Sequence, residues 1–232
     1  KTIEAKAVIY FTVITGGTDK VMQIDLQQPL IIDSVKFFDK KMLYQREENV
    51  CYIDFKKQNF IKAATKGVVP TEDIIIYYHG KPREAVKPPW DGGWIWKQDK
   101  LGRPWISLTC QGWGASVWYP CKDHQSDEPD LGASLSIIVP DSLVAVSNGR
   151  LASKQENNDG TVTWKWEVKN PINNYDIIPY IGKYVNWSDT LQGEKGILDL
   201  NYWVLDYNLD TAKRQFQQVK PMLHSLEYRY GP

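Results

Sequence analysis

Short runs of β-branched and aromatic residues, each followed by turn-forming residues, constrain the fold of this chain more than any other feature. Residues 161–168 place Val or Trp at every second position, which is the period of a half-buried strand. Similar runs occupy residues 5–13, 21–26, 30–38, 50–55, 73–78, 134–139 and 198–205. A turn is predicted at residues 15–19. Many short strands at this spacing predict an all-β fold of antiparallel, sandwich-like sheets.

The end of the chain has a different pattern. Asp210 can cap a helix over residues 211–229, and Pro221 should kink or break that helix. Its apolar residues recur at intervals of three or four and form one stripe: Phe216, Val219, Leu223 and Leu226. We therefore expect a β domain over residues 1–207, and a single helix at 208–232 that begins the next domain.

Charge and hydropathy exclude two classes of partner. Lys and Arg together number 28, as do Asp and Glu, so the basic excess typical of a nucleic-acid binder is missing. No apolar run approaches the roughly 20 residues of a membrane span. Lys1 is not an initiator Met and no leader follows it, so the sequence leaves a processed periplasmic or secreted parent and a cytoplasmic one both open.

The titratable residues do not form a complete catalytic site. Zinc hydrolases place two histidines and a glutamate as His-Glu-x-x-His, whereas each of the three histidines here stands alone in the sequence: His79, His124 and His224. The three cysteines are expected to be buried thiols: Cys51, Cys110 and Cys121. The acidic stretch 123–130 lacks the Gly and closing Glu of a calcium loop and is interpreted as a solvated loop. The sequence thus predicts no catalytic residue and no metal site within this chain.

Aromatic residues are abundant, with 10 Trp and 13 Tyr. Several lie close together in the chain: Trp90, Trp94, Trp96, Trp105, Trp113, Trp118 and Tyr119. They could form a stacking platform for a sugar, which would make the chain a stand-alone carbohydrate-binding β-sandwich, or they could pack in a core. A third alternative is a structural or partner-docking module. The Pro-, Gly- and Trp-rich residues 81–102 are interpreted as an ordered surface loop or hairpin region.

A series of short motifs occurs in a specific order along most of the chain. They are Leu108-Thr109-Cys110-Gln111-Gly112, Tyr119-Pro120-Cys121-Lys122-Asp123, Asp127-Glu128-Pro129, Ser147-Asn148-Gly149, Tyr180-Ile181-Gly182-Lys183-Tyr184 and Tyr228-Arg229-Tyr230-Gly231-Pro232. Together they resemble the N-terminal domain of the aminopeptidase N family of zinc peptidases, which includes leukotriene-A hydrolase. Thr109 stands where that family often has a Gln, and His124-Gln125-Ser126 looks inserted, as in a bacterial branch of the family.

The resemblance implies a division of labour between two domains. The zinc ligands and the general-base Glu would lie in a catalytic domain beyond residue 232, and the β domain would cover one side of the cleft. Gln111 would bind the N-terminus of the peptide substrate, with Thr109 as a weaker candidate. An α-ammonium group offers three donors and no acceptor, so an amide oxygen on a rigid strand suits it.

Overall fold

The chain is built mainly from antiparallel strands, as predicted, in a computed structural model that describes residues 1–13, 20–58 and 71–232. The turn predicted at residues 15–19 lies outside the described residues. In chain order the strands are β1 (Ile3–Thr12), β2 (Val21–Asp25), β3 (Ile31–Phe37), β4 (Lys40–Lys41), β5 (Tyr44–Glu47), β6 (Val50–Asp54), β7 (Thr71–Gly80), β8 (Gly93–Gln98), β9 (Pro104–Thr109), β10 (Ala133–Pro140), β11 (Val144–Val146), β12 (Arg150–Glu156), β13 (Thr161–Val168), β14 (Tyr180–Gly182), β15 (Tyr184–Gly193) and β16 (Gly196–Leu205). Two helices follow them, α1 (Leu209–Gln215) and α2 (Val219–Tyr230).

The first third of the chain, residues 3–80, forms two sheets that share one core. Their strand orders are β1-β7-β3-β4 and β2-β6-β5. Alternate residues of the central strands point inward, because successive side chains of a strand face opposite sides of the sheet. The most deeply buried of these residues are at most 1 % exposed: Val35, Cys51, Ile53, Ile74 and Ile76. Phe55, directly after β6, is buried to the same degree. This packing of two sheets confirms the sandwich-like prediction.

A second pair of sheets follows, with strand orders β11-β14-β9-β8 and β10-β13-β12. Their shared core contains Trp164 and Trp166, which the period-two pattern of β13 places on one face. The indole of Trp166 donates a hydrogen bond of 2.9 Å to the backbone oxygen of Ala145. A third apolar cluster centres on Trp94, Leu108 and Val117, and Ile3 of β1 packs against both this cluster and the first core. The candidate site lies next to this third cluster.

The C-terminal segment is helical but differs in detail from the prediction. Helix α1 begins at Leu209, so Asp210 lies inside the first turn and the predicted N-cap role is wrong. A carboxylate there still interacts favourably with the helix dipole. A 3-10 turn, Phe216–Gln218, separates α1 from α2, and Pro221 is the third residue of α2. The first four N–H groups of a helix have no intrahelical acceptor, so Pro221 costs α2 no hydrogen bond. A helix continuous with α1 would need an N–H at this position, which explains the break just before Pro221.

The helical segment packs on the β15–β16 hairpin through a small aromatic group. The ring of Phe216 lies 5.8 Å from Trp187 and 5.5 Å from Tyr202, measured between centroids. Phe216, Val219 and Leu223 of the apolar stripe are half-buried. Beyond them Leu226 is 43 % exposed, and Met222 beside the stripe is 51 % exposed, so the far part of α2 presents apolar side chains outward. Within the described residues, neither helix has the length and apolar character that crossing a membrane would require.

Candidate functional site

Gln111 lies in a tight turn directly after β9, and its side chain is exposed. The ladder between β8 and β9 ends at the pair Gly93 and Thr109, two residues before Gln111. The backbone N–H groups of Trp113 and Gly114 both donate to the oxygen of Cys110, at 3.0 and 2.9 Å, and so close the turn. The predicted position of Gln111 on the strand itself is therefore wrong, because the chain turns away from β8 at that point.

Thr109 supports this turn through its hydroxyl group. The hydroxyl donates to the backbone oxygen of Pro89 at 3.1 Å and accepts from the N–H of Gln111 at 3.4 Å. The Thr109 hydroxyl thus joins the loop before β8 to the turn after β9.

The loop before β8 is organised around the carboxylate of Asp91. Two nitrogens of the Arg83 guanidinium donate to it at 3.0 and 3.2 Å. The backbone N–H of Val86 donates at 2.7 Å, and the indole of Trp113 donates at 3.2 Å. These donors, with Val86 the largest contributor, lower the pKa of Asp91 from 3.8 to about 2.

Two glycines allow close backbone approaches at the Asp91 loop: Gly92 approaches the Gln111 turn, and Gly93 approaches the start of the loop. A Cβ atom on Gly92 would lie 2.9 Å from the backbone oxygen of Gln111. Gly93 has φ +135°, and a Cβ there would lie 2.8 Å from backbone atoms of Arg83 and Ala85. A larger residue at Gly92 would push the loop away from the turn, so this loop and Gln111 are parts of one packed unit.

The opposite side of the turn is anchored to the first sandwich. Gln27, which is 8 % exposed, donates through its amide to the backbone oxygen of Trp113 and at 3.2 Å to the hydroxyl of Ser116. Asp123 accepts from the backbone N–H groups of Ala115 and Ser116, at 3.1 and 3.2 Å. The sequence alone does not single out Gln27, Arg83 or Asp91. Gln27 lies far along the chain from its partners Trp113 and Ser116. The contact between Arg83 and Asp91 depends on how the loop between them turns.

The three histidines have separate local partners. His79 lies 2.7 Å from Asp33 on the first sandwich, His124 contacts Ser126, and His224 lies 3.5 Å from Glu227 on α2. Across residues 1–13, 20–58 and 71–232, no three His, Cys, Asp or Glu side chains gather as a metal site. In the acidic stretch, the carboxylate of Asp127 accepts from Lys122 at 2.9 Å.

The cysteines are buried free thiols, as predicted. Burial raises the pKa of Cys51 to about 11 and that of Cys110 to about 12. Burial also raises the pKa of the Cys121 thiol well above its ordinary value. A thiol must ionise to act as a nucleophile, so these three groups are poor nucleophiles near neutral pH.

The tryptophans divide into a packed set and an exposed pair. Trp94 stacks on Trp96 with centroids 5.2 Å apart and meets the edge of Trp118 at 6.2 Å, within the third cluster. By contrast Trp90 is 82 % and Trp113 43 % exposed. Most of the aromatic residues considered as a sugar platform therefore serve as core.

Comparison with known proteins gives a clear result for the fold. No protein-family model and no curated protein sequence matches the chain. Among solved structures, an M1 zinc metallopeptidase of Deinococcus radiodurans, crystallised as a mutant bound to a Tyr-Ser-Ala substrate, matches with a TM-score of 0.69 and 16 % identity. The match covers 99 % of this chain and 50 % of that one.

Two further zinc-peptidase structures match in the same way. Legionella pneumophila aminopeptidase A matches with a TM-score of 0.71 and 14 % identity over 99 % of this chain and 25 % of its own. Yeast LTA4 hydrolase matches with a TM-score of 0.66 and 16 % identity, over 98 % of this chain and 32 % of its own.

The chain has the fold of one part of the M1 zinc metallopeptidases. It spans half or less of the length of each of these structures. This agrees with the predicted likeness to an N-terminal aminopeptidase domain.

Proposed function

We propose that this chain is the N-terminal, cleft-covering domain of a zinc-dependent aminopeptidase that removes N-terminal residues from peptides. The observation that carries the proposal is the match of 99 % of the chain to half of a peptide-bound M1 metallopeptidase. The ordered series of motifs from Leu108 to Pro232 supports it independently. The rest of such a parent would carry the zinc, whose bound water supplies the attacking nucleophile.

Within this domain, Gln111 is the residue proposed to bind the substrate amine. Its side chain is exposed, whereas the turn beneath it is fixed by Thr109, Gln27 and the Asp91 loop. An amide oxygen on such a support accepts a hydrogen bond from an ammonium without first having to order its own backbone. Thr109 has its hydroxyl engaged with Pro89 and Gln111, so its part would be to position the turn.

We further propose that residues 208–232 begin the catalytic domain of the parent. The support is the exposed apolar surface of α2, formed by Leu226 of the stripe and by Met222 beside it, since an apolar face of this kind normally packs against another element. The partners of the domain would then be the catalytic domain and the N-terminus of a peptide.

A comparison between the full-length parent and this 232-residue chain tests the proposed function. Metal analysis should find one zinc in the parent and no bound zinc in the isolated chain. The parent should release the first residue of Tyr-Ser-Ala but leave the N-acetylated peptide intact, and a chelator should abolish the reaction. Zinc-dependent turnover by the isolated chain, or equal cleavage of the acetylated peptide, would contradict the proposal.

A further inference from the structure

The loop that carries Asp91 exposes a group of apolar side chains although its backbone is firmly held. Trp90 is 82 % and Val86 78 % exposed, and Pro88 and Pro89 between them are also exposed. Exposing a tryptophan to this degree forgoes one of the largest gains from burial that a side chain can offer. Single exposed apolar residues are ordinary, but four within five positions form a patch that calls for a contact.

Backbone hydrogen bonds order the loop on both sides of Trp90. The N–H of Trp90 donates to the oxygen of Lys87 at 3.0 Å, and the oxygen of Pro89 accepts from Thr109 at 3.1 Å. At the base of the loop, the N–H of Ala85 donates to the backbone oxygen of Trp94 at 2.9 Å, and the N–H of Trp94 donates to the backbone oxygen of Arg83 at 2.8 Å. A loop held in this way loses little conformational entropy when its side chains are covered.

The same hydrogen bonds fix the patch relative to Gln111. Asp91, next to Trp90, accepts from the indole of Trp113, and Trp113 follows Gln111 by two residues. Gly92 approaches the backbone oxygen of Gln111 so closely that no Cβ would fit. The apolar patch and the amide of Gln111 therefore belong to one rigid unit.

The charges around the patch indicate what it can bind. The Asp91 carboxylate is satisfied by Arg83, whose guanidinium also lies 4.3 Å from the centre of the Trp113 ring. Arg83 and Asp91 thus neutralise each other's charge. Of the five exposed residues 86–90 beyond them, Lys87 is the single charged one and the other four are aromatic or aliphatic. Such a surface favours an apolar partner over a charged one.

We propose that Trp90 forms an apolar wall for the side chain of the substrate, so that the parent prefers peptides with large apolar or aromatic residues near the N-terminus. This inference rests on the proposed function, because it takes Gln111 as the contact of the substrate amine. Trp90 would determine specificity, whereas Gln111 would act on every substrate with a free amine.

The test measures kcat/KM of the full-length parent on the p-nitroanilides of Ala, Leu and Phe. Trp90→Ala should lower kcat/KM for Phe and Leu about tenfold while lowering that for Ala about twofold or less, since an apolar contact is worth roughly this much discrimination. Trp90→Phe should restore most of the preference. Tyr10→Ala, which removes a 64 % exposed aromatic side chain from β1, is the matched control and should leave all three values unchanged.

Gln111→Ala separates this inference from the proposed function. If Gln111→Ala lowers all three values equally while Trp90→Ala changes none, amine recognition stands and the apolar wall is refuted. An equal loss on all three substrates for Trp90→Ala, with a lower melting temperature, would also refute it and would place Trp90 against the rest of the parent. If Trp90→Ala is selective but Gln111→Ala keeps wild-type values, the wall stands and the role of Gln111 fails. A parent without turnover on any substrate refutes both.

Discussion

The loop around Asp91 and the C-terminal helical segment are both exposed, but they are held to the β-sheets in different ways. Four donors converge on the Asp91 carboxylate, and the loop packs directly on the turn that carries Gln111. The helical segment is attached at separate points. Arg103 holds Asp206 at its base with bonds of 2.6 and 2.7 Å, and Lys220 meets Asp189 at 2.7 Å.

This difference indicates where each region obtains its order. The loop is ordered by bonds within the chain, so its exposed side chains are free to bind a ligand without folding first. Helix α2 has no buried residue, and the structure buries only part of its apolar stripe. We therefore expect the two regions to respond differently when the support beneath each is removed.

The largest effect should follow from removing Trp94, the 5 % exposed ring of the third cluster next to the Gln111 turn. Trp94→Ala should lower the free energy of unfolding by about 3–5 kcal/mol, which is typical for a buried aromatic residue that leaves a cavity. Urea unfolding of the 232-residue chain measures this loss. Trp94→Phe keeps a ring in place and should cost clearly less.

Phe216→Ala is the corresponding change under the helical segment. Phe216 is half-buried against Trp187 and Tyr202, so its loss should cost only about 1 kcal/mol. The same urea titration measures it, with helicity followed by circular dichroism. A cost equal to that of Trp94→Ala would show that the helical segment is an integral part of the β domain.

A smaller, pH-dependent effect should come from Asp91. The pKa of this carboxyl is about 2 in the folded chain and 3.8 without its partners, so its stabilising contribution is fully present above pH 4. The contribution is lost as the pH falls toward 2. Asp91→Asn should therefore melt below the wild type at pH 6, and the gap between their melting temperatures should narrow as the pH falls from 4 to 2.

Other acidic groups provide an internal control for that experiment. Asp99 and Asp206 also have lowered pKa values, but they are present in both proteins and cancel in the difference. A gap that stays constant down to pH 2 would show that the donors around Asp91 do not stabilise its charged form.

The sequence predicted the fold better than the site, and the reason is physical. Alternation along β13 marks one buried face, so Thr161–Val168 was predicted with its observed bounds. Strand β12 was missed because every residue of Arg150–Glu156 is exposed, which leaves no period to detect. The Gln111 turn depends on Gln27, which is distant in sequence, and on Asp91, which reaches Trp113 only through the fold of the loop before β8. Neither contact is visible in the sequence, so the predicted strand was wrongly extended through Gln111.

The proposed role of Gln111 is the central claim of this account, and three variants of the full-length parent test it. Gln111→Ala should lower kcat/KM on a free-amine substrate about ten- to a hundredfold, since a hydrogen bond to a charged group is worth roughly 1.5–3 kcal/mol. Gln111→Glu should keep or improve activity, because a carboxylate attracts the ammonium more strongly.

Thr109→Ala should cost less activity than Gln111→Ala, because its hydroxyl supports the turn rather than the substrate. Melting temperatures of all three variants show whether the fold is intact. Gln111→Ala should lose much of its kcat/KM with little change in melting temperature. Wild-type kcat/KM in a folded Gln111→Ala parent would contradict the proposed role of Gln111.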